Sequence, residues 1–151
     1  MGERNMEPSS NNRSKTYIII GDPIPLARCR FSRTHKAYDS QKEKKLVYGI
    51  NLKSQHGEEP LFSGPLHIEI HFYFTPAVKA AKNITNTFHY IKPDIDNCAK
   101  WVLDVANELL FKDDCQVSSL ILTKRWSRPE PHTEIFIQEI GNAREIPVRH
   151  E

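Results

Sequence analysis

Apolar and polar residues alternate most regularly between residues 66 and 74. Every second residue of this segment, starting at Leu66, is apolar, and the residues between them are His67, Glu69, His71 and Tyr73. A period of two is typical of a β-strand with one buried face. We therefore predict a strand with one face in the core and the other toward solvent or a partner. The two histidines and Glu69 could bind a metal ion, but the sequence offers no further ligand, and the pattern favours an ordinary strand face.

A second periodic segment follows Pro93 and has the spacing of a helix. Its apolar stripe consists of Ile95, Cys98, Ala99, Val102, Val105, Ala106 and Leu109. Such a stripe is typical of a helix that buries one face. The opposite side carries Asp96, Lys100, Asp104 and Asn107. Because proline lacks an amide hydrogen and disfavours a helical residue before it, the helix is predicted to begin near Asp94 to Asp96.

Shorter apolar segments complete the predicted secondary structure. We predict strands over residues 16–20, 116–126 and 133–140, and a helix over residues 40–55. This helix rests on the spacing of Leu46, Val47 and Ile50, and it contains Gly49, which costs about 1 kcal/mol relative to alanine. The last two strands flank a proline-containing turn at residues 127–131 and are predicted to form a β-hairpin.

Composition limits the class of protein. The chain has 151 residues, of which 38% are hydrophobic and 26% charged, as expected for one globular domain. Residues 1–15 and 141–151 lack apolar periodicity, so we predict a disordered arm, a domain over residues 16–140 and a tail. No segment approaches the roughly 20 apolar residues that cross a bilayer, and no apolar signal region follows the first residues. We therefore expect a cytoplasmic protein without membrane association.

The cysteines argue against a disulfide or zinc framework. Cys29, Cys98 and Cys115 are an odd number, lie far apart and include no C-x-x-C pair. All three are expected to be reduced.

The net charge of +2 conceals two segments of opposite sign. From Arg28 to Lys45, seven basic residues outnumber two acidic ones, and from Lys92 to Asp114, six acidic residues outnumber three lysines. A segment that can contact a polyanion, beside one that can bind a cation, is what a metal-dependent nuclease requires. On charge alone, two solvated surface segments are the simpler explanation.

Four aspartates of the acidic segment are candidates to bind a metal ion. Asp94 and Asp96 are two residues apart at the predicted helix start, where both carboxylates can point to one side. Asp113 and Asp114 follow the helix. If the next strand returned Asp114 to the helix start, three or four carboxylates would converge on a site suited to Mg²⁺. Spacing alone favours helix caps, an i,i+4 pair of Asp96 with Lys100, and a turn.

Two linked motifs in this region resemble the RusA family of Holliday junction resolvases. The first is KPDIDNCAKWVLD at residues 92–104, and the second is LFKDDCQV at residues 110–117. The family pattern is K-P-D-x-D-N-x-x-K-x-x-x-D, followed after a short interval by K-D-D-x-Q-V. Both halves match in residue type and spacing, and two linked motifs are far more specific than one.

The resemblance extends to most of the chain, with two departures. Residues 21–25, together with Arg28 and Arg30, are similar to the family's glycine-proline and R-x-R opening, so the resemblance covers residues 16–140. Cys98 stands where leucine is usual, which is a tolerable exchange in a core. Glu108 stands where a glycine commonly precedes the turn.

The resemblance implies a fold and an activity. It implies an α+β fold, in which a mixed β-sheet packs against two helices in one small domain, and a homodimer with two-fold symmetry. It also implies a structure-selective endodeoxyribonuclease that resolves four-way (Holliday) DNA junctions by paired nicks, in recombination and repair. Mg²⁺ is the implied cofactor, for which Mn²⁺ can substitute, and branched DNA is the implied partner.

The resemblance also implies roles for individual residues. Asp94, Asp96 and Asp114 are expected to bind the metal, with Asp113 as a further candidate, and Lys100 to contact phosphate or the transition state. The residues expected to follow the DNA backbone, with salt-dependent affinity, are Arg28, Arg30, Arg33 and Lys36. The expected chemistry is phosphodiester hydrolysis by a water that the metal activates.

Two alternatives stay open at this point. The chain could be a non-catalytic module that binds junctions or duplex DNA, with the aspartates serving as structural caps. It could also be a flap-type or nonspecific nuclease on the same scaffold, since the preference for a branch depends on surface shape.

Overall fold

A computed structural model of the chain describes residues 12–28, 30–34, 37–77, 88–128 and 130–141. The strands in these residues are β1 (Ser14–Ile20), β2 (Arg30–Phe31), β3 (Ala37–Tyr38), β4 (Leu66–Phe74), β5 (Val117–Trp126) and β6 (His132–Glu139). The helices are α1 (Lys42–His56) and α2 (Ile95–Ala106), and a 3₁₀ turn at Asp114–Gln116 precedes β5. The first strand therefore begins at Ser14, inside the predicted arm. The predicted tail after residue 141 lies outside the described residues.

Four strands form one mixed sheet in the order β1-β6-β4-β5. β6 is antiparallel to both of its neighbours, whereas β4 and β5 are parallel. Parallel neighbours need a crossover connection, and α2 lies in the connection between β4 and β5. The two short strands β2 and β3 form a separate antiparallel ribbon within the basic segment.

The predicted β-hairpin of the last two strands is wrong. β5 pairs with one edge of β4, and β6 pairs with the other edge, so β4 lies between them. The physical reason is that α2 crosses over and delivers β5 parallel to one edge of β4, whereas β6 pairs between β4 and β1, where both of its edges are hydrogen-bonded. Thr133, Ile135 and Ile137 of β6 are buried, as suits a strand with neighbours on both sides.

Both helices pack on the same face of the sheet, which confirms the prediction of a mixed sheet against two helices. The large, fully buried side chains of this layer include Tyr17, Leu52, Ile68, Phe72, Trp101 and Ile135. The ring of Tyr48 from α1 meets Trp101 of α2 edge-on, at 6.0 Å between centroids. On the opposite face Ile18, Ile20 and Ile121 remain exposed. In the part of the chain described here, no helix is long and apolar enough to cross a membrane.

Helix α1 confirms the predicted helix but buries a different face from the one that the prediction used. Leu46, Val47 and Ile50 are exposed. The buried side chains are Tyr48, Leu52 and His56, which recur every four residues and face the sheet. His56 is fully satisfied: its Nδ1 accepts from the Tyr17 hydroxyl at 2.6 Å, and its Nε2 donates to the Pro60 carbonyl at 3.1 Å.

Two backbone positions explain unusual residues in the sequence. Gly49 lies where α1 meets the end of α2, and a Cβ atom there would stand 3.1 Å from Cδ1 of Leu109. Glycine therefore permits a close helix contact. Glu108 has a φ of 64°, the left-handed region that favours glycine, so the family's usual residue fits this turn better.

The two cysteines in the described residues are free thiols, as predicted. Cys98 is buried in the α2 stripe, and burial raises the pKa of its thiol to about 11. Cys115 is exposed in the 3₁₀ turn. Cys29 lies outside the described residues.

Candidate active site

Asp94 occupies the N-cap position of α2 but does not cap it with its side chain. Its backbone is extended, with φ −69° and ψ 136°, and its carboxylate makes no hydrogen bond to the helix amides. Instead, Lys92 Nζ donates to Asp94 Oδ1 at 2.8 Å, and this hydrogen bond lowers the pKa of the carboxyl group. The alternative of a helix cap is therefore correct for the backbone of Asp94 and not for its carboxylate.

Asp96 and Lys100 lie one turn apart on the solvent side of α2. Asp96 Oδ2 and Lys100 Nζ are 3.7 Å apart, and both side chains are more than half exposed, at 65% and 62%. The pair is thus the i,i+4 arrangement that spacing predicts, with weak mutual attraction. Both groups stay accessible to a substrate.

Lys124 joins the sheet to the start of α2, and the sequence analysis missed it. Its Nζ donates to the backbone carbonyls of Ile91 and Pro93, at 2.5 Å each. These hydrogen bonds fix the chain immediately before Asp94. A signal was present in the sequence, because Lys124 follows Leu120 and Leu122 at every second position of a strand. A lysine on a core-facing row is expected only where its ammonium group finds partners.

The second pair of aspartates consists of two hydrogen-bonded neighbours, of which Asp113 also caps the 3₁₀ turn. Asp113 Oδ1 accepts from the Cys115 amide at 2.9 Å and forms a capping box with Gln116. The hydrogen bond from the Cys115 amide lowers the pKa of Asp113. For Asp114, burial raises the pKa, and the neighbouring Asp113 and Asp104 raise it further. Asp113 thus has the turn role that spacing favoured, while Asp114 faces other carboxylates.

One chain does not bring Asp114 together with Asp94 and Asp96. The charge of Asp104 helps to raise the pKa of Asp114. Asp104 lies two helical turns, about 12 Å, from Asp96 along α2. β5 returns toward the start of α2, but the residue that it delivers there is Lys124. Among the described residues, no group of three or more His, Cys, Asp and Glu side chains could hold a metal ion. The return of Asp114 that a single-chain site requires is therefore not found.

The pair of Asp94 and Asp96 nevertheless fits a magnesium ion by its chemistry. Mg²⁺ is commonly held by one or two carboxylates together with waters and substrate phosphate oxygens. Both carboxylates are exposed at the same end of α2, and the carboxylate of Asp94 is not used as a cap.

The basic segment lies along the polar side of α2. The Leu26 amide donates to the Asn97 carbonyl at 3.0 Å, which places this segment against the first turn of α2. Arg28 and Arg33 are exposed. The side chain of Arg30, which belongs to β2, and the whole of Lys36 lie outside the described residues.

Lys45 connects α1 to the acidic side of α2. Its Nζ lies 2.8 Å from both Asp39 Oδ2 and Asp104 Oδ2. The hydrogen bond with Asp104 is the main reason why the pKa of Lys45 is raised. Asp104 therefore has a basic structural partner.

The histidines of β4 form a hydrogen-bonded network on the open face of the sheet. Glu69 accepts from Nε2 of His67 at 2.9 Å and from Nε2 of His71 at 3.4 Å. Nδ1 of each ring meets a hydroxyl group on β5, from Ser119 and Thr123. The hydrogen bond from His67 lowers the pKa of Glu69. This arrangement is the ordinary strand face that the pattern favoured.

Comparison with known proteins supports the two motifs. The model of the family Endodeoxyribonuclease RusA matches residues 21–138, a range that includes both motifs and most of the sheet. The chain is also 32% identical over 138 residues to Uncharacterized protein YqaN of Bacillus subtilis (strain 168). That similarity covers 83% of this chain and 96% of the relative.

Proposed function

Because this chain belongs to the RusA endodeoxyribonuclease family, we propose that it is a Mg²⁺-dependent nuclease that resolves four-way DNA junctions by paired nicks, in recombination and repair. The observation that carries the proposal is the pair of exposed carboxylates, Asp94 and Asp96, at the start of α2. This pair lies in the region that the family model matches. The carboxylate of Asp94 does not cap α2, which favours a role as a metal ligand over a role as a structural cap.

In the proposed mechanism, Asp94 and Asp96 would hold Mg²⁺. When bound, the metal supplies Lewis-acid stabilisation of the phosphate charge and lowers the pKa of the attacking water. Lys100, one turn beyond Asp96, offers its ammonium group to a non-bridging phosphate oxygen, where a fixed positive charge stabilises the transition state. Lys124 acts as a positioning residue, because it holds the backbone that presents Asp94.

The location of Asp114 supports a homodimer with composite sites. Within the described residues of one chain, Asp114 does not form a metal-binding group with Asp94 and Asp96. If Asp114 is a metal ligand, it must reach that pair from a second subunit. A two-fold dimer then carries two equivalent sites, each with Asp94 and Asp96 from one subunit and Asp114 from the other. Two such sites suit a substrate with two-fold symmetry. Asp113 stays a further candidate ligand.

The basic segment is proposed to follow the DNA backbone. Arg28 and Arg33 are exposed, and the hydrogen bond between Leu26 and Asn97 brings this segment beside the carboxylates. Arg30 and Lys36 belong to the same proposal. Contacts of this kind give affinity that decreases with salt and depends little on base sequence.

Cleavage of a panel of synthetic DNAs tests the proposed function. A four-way junction, a flap, a duplex and a single strand are incubated with the protein at one fixed salt concentration, with Mg²⁺, with Mn²⁺ or with EDTA. We expect symmetric nicks in the junction with either metal and none in EDTA, and no cleavage by Asp96→Asn. Preferential cleavage of the flap or of every DNA would favour a flap-type or nonspecific nuclease. Tight junction binding without cleavage would favour a non-catalytic module.

A further inference from the structure

The segment of residues 88–91, beside the candidate site, exposes three large apolar side chains and buries one histidine. Phe88, Tyr90 and Ile91 are 49%, 84% and 58% exposed, whereas His89 is buried. The His89 ring stacks on Phe74 at 4.2 Å and lies 4.3 Å from the Trp126 ring, measured between centroids. The buried ring anchors the segment, and its neighbours are left facing solvent.

The backbone of this segment is fastened to the end of β5. The His89 amide donates to the Lys124 carbonyl at 3.0 Å, and Lys124 Nζ donates to the Ile91 carbonyl. The Arg125 guanidinium lies 5.0 Å from the centroid of the Phe88 ring. Contacts at Phe88, His89 and Ile91 hold the backbone of the segment in place beneath its exposed side chains. Exposed apolar clusters of this kind commonly mark a binding surface.

The same segment borders the carboxylates. A cavity of about 620 Å³ is lined by Tyr90, Ile91, Asp94, Asp96 and Lys124, among other residues. A volume in this range accommodates a ligand the size of a nucleotide. A group that stacks on Tyr90 therefore lies next to the site proposed for the scissile phosphate.

We propose that Phe88, Tyr90 and Ile91 form a stacking platform that receives a nucleobase whose stacking is interrupted at the branch point of the DNA. The inference rests on the proposed function and extends it to the recognition of branched DNA. Aromatic side chains stack on any base, and apolar side chains inserted at a base step replace the stacking that the DNA loses there. A branch point interrupts base stacking, whereas a continuous duplex does not, so the platform favours branched DNA without reading its sequence.

Charge favours DNA over a protein partner at this surface. Lys92, which follows Ile91 and also pairs with Asp94, has 86% of its side chain exposed, and the Arg125 guanidinium lies 5.0 Å from the centroid of the Phe88 ring. Positive groups around an aromatic surface suit a base together with its flanking phosphates.

Fluorescence of a base analogue at the branch point tests the platform. A four-way junction carrying 2-aminopurine at the exchange point is titrated in EDTA, where binding occurs without cleavage, and cleavage is then measured with Mg²⁺. Wild type is expected to quench the fluorescence. Tyr90→Ala is expected to bind the junction about ten-fold more weakly and to lose the quenching at saturation, whereas Tyr90→Phe keeps both. Duplex binding and the melting temperature should be unchanged, because the Tyr90 side chain is exposed.

Ile20→Ala, on the open face of the sheet, is the matched control for the loss of an exposed apolar side chain. The platform proposal is overturned if Tyr90→Ala binds the junction, quenches its fluorescence and cleaves it as wild type does. That result would leave the proposed function intact. The platform proposal is also overturned if Tyr90→Ala changes only the oligomeric state measured by light scattering, since the surface then contacts protein. If wild type neither binds nor cleaves any junction, the proposed function fails as well.

Discussion

Lys100 is the residue for which the ordinary and the catalytic interpretation differ most. Its 3.7 Å pairing with Asp96 on an exposed helix face contributes little to folding, about 0.5 kcal/mol or less. If it contacts a phosphate oxygen in the transition state, Lys100→Ala slows cleavage by on the order of 100-fold while the melting temperature barely changes. Single-turnover rates on a four-way junction, with thermal melts of the same samples, provide the measurement.

Lys100→Arg serves as the conservative control. The planar guanidinium cannot occupy the position of a compact ammonium group, so only partial recovery of the rate is expected. Equal cleavage rates for wild type and Lys100→Ala would contradict the catalytic role. Lys100 would then only form a surface ion pair with Asp96.

Lys124 acts through the backbone rather than on the substrate. Lys124→Met removes the donor for two carbonyl groups, at Ile91 and Pro93, which costs about 1–3 kcal/mol of stability if they find no other partner. Because Asp94 follows Pro93 directly, we expect weaker metal binding as well. Mn²⁺ affinity measured by electron paramagnetic resonance, and the Mg²⁺ concentration for half-maximal cleavage, are both expected to change several-fold.

The control for this variant is Lys53→Met, an exposed lysine of α1 that lies outside the basic segment. A loss of stability in Lys124→Met with unchanged Mn²⁺ affinity would assign Lys124 to folding alone. High Mg²⁺ is expected to restore most of the lost rate if positioning is its role.

At the level of elements, the contact between α1 and the end of α2 depends on Gly49. A Cβ atom there would already stand 3.1 Å from Leu109 Cδ1 and 3.6 Å from Val105 Cγ1. Gly49→Val adds two further methyl groups at this contact, and we expect it to lower the free energy of unfolding by about 1–3 kcal/mol. Urea denaturation followed by circular dichroism measures the change.

Lys44→Val places the same side chain on the exposed side of α1 and is expected to cost only a few tenths of a kcal/mol, the price of lower helix propensity. If both variants were equally stable, α1 would have room to move away from α2, and the close packing at Gly49 would not be required.

For the whole molecule, the location of Asp114 predicts that two inactive subunits can complement each other. In a heterodimer of Asp96→Asn with Asp114→Asn, one composite site carries both changes and the other carries neither. We therefore expect about half of the wild-type nicking rate, since one of two equivalent sites is intact. On a circular DNA with an extruded cruciform, this heterodimer should give nicked circles, whereas wild type gives linear DNA.

Co-expression with two different affinity tags isolates the heterodimer. The heterodimer of Asp96→Asn with Asp94→Asn is the matched control, because each of its sites carries one change and should stay inactive. Inactivity of both heterodimers, with each still dimeric by light scattering, would contradict a composite site.

Elements whose pattern repeats within one segment could be predicted from the sequence alone. The alternation of β4 and the stripe of α2 follow from backbone geometry within one segment, so their bounds could be predicted closely. The two motifs are also local, and they were sufficient to indicate the family that the comparison then confirmed. Each of these features depends on residues that are close together in the sequence.

Which elements pack against each other could not be predicted from the sequence and follows from the tertiary packing. The predicted hairpin failed because strand order depends on where α2 packs, and no periodicity within β5 or β6 records that. Leu46, Val47 and Ile50 have helical spacing but are exposed. The face of α1 that packs on the sheet is the one with Tyr48 and Leu52. Asp114 does not join Asp94 and Asp96 among the described residues, for the same reason. The residue of β5 that reaches the start of α2 is Lys124, for which no prediction was made. β5 runs from one end of α2 to the other, so the direction of the strand sets how far each of its residues lies from the site.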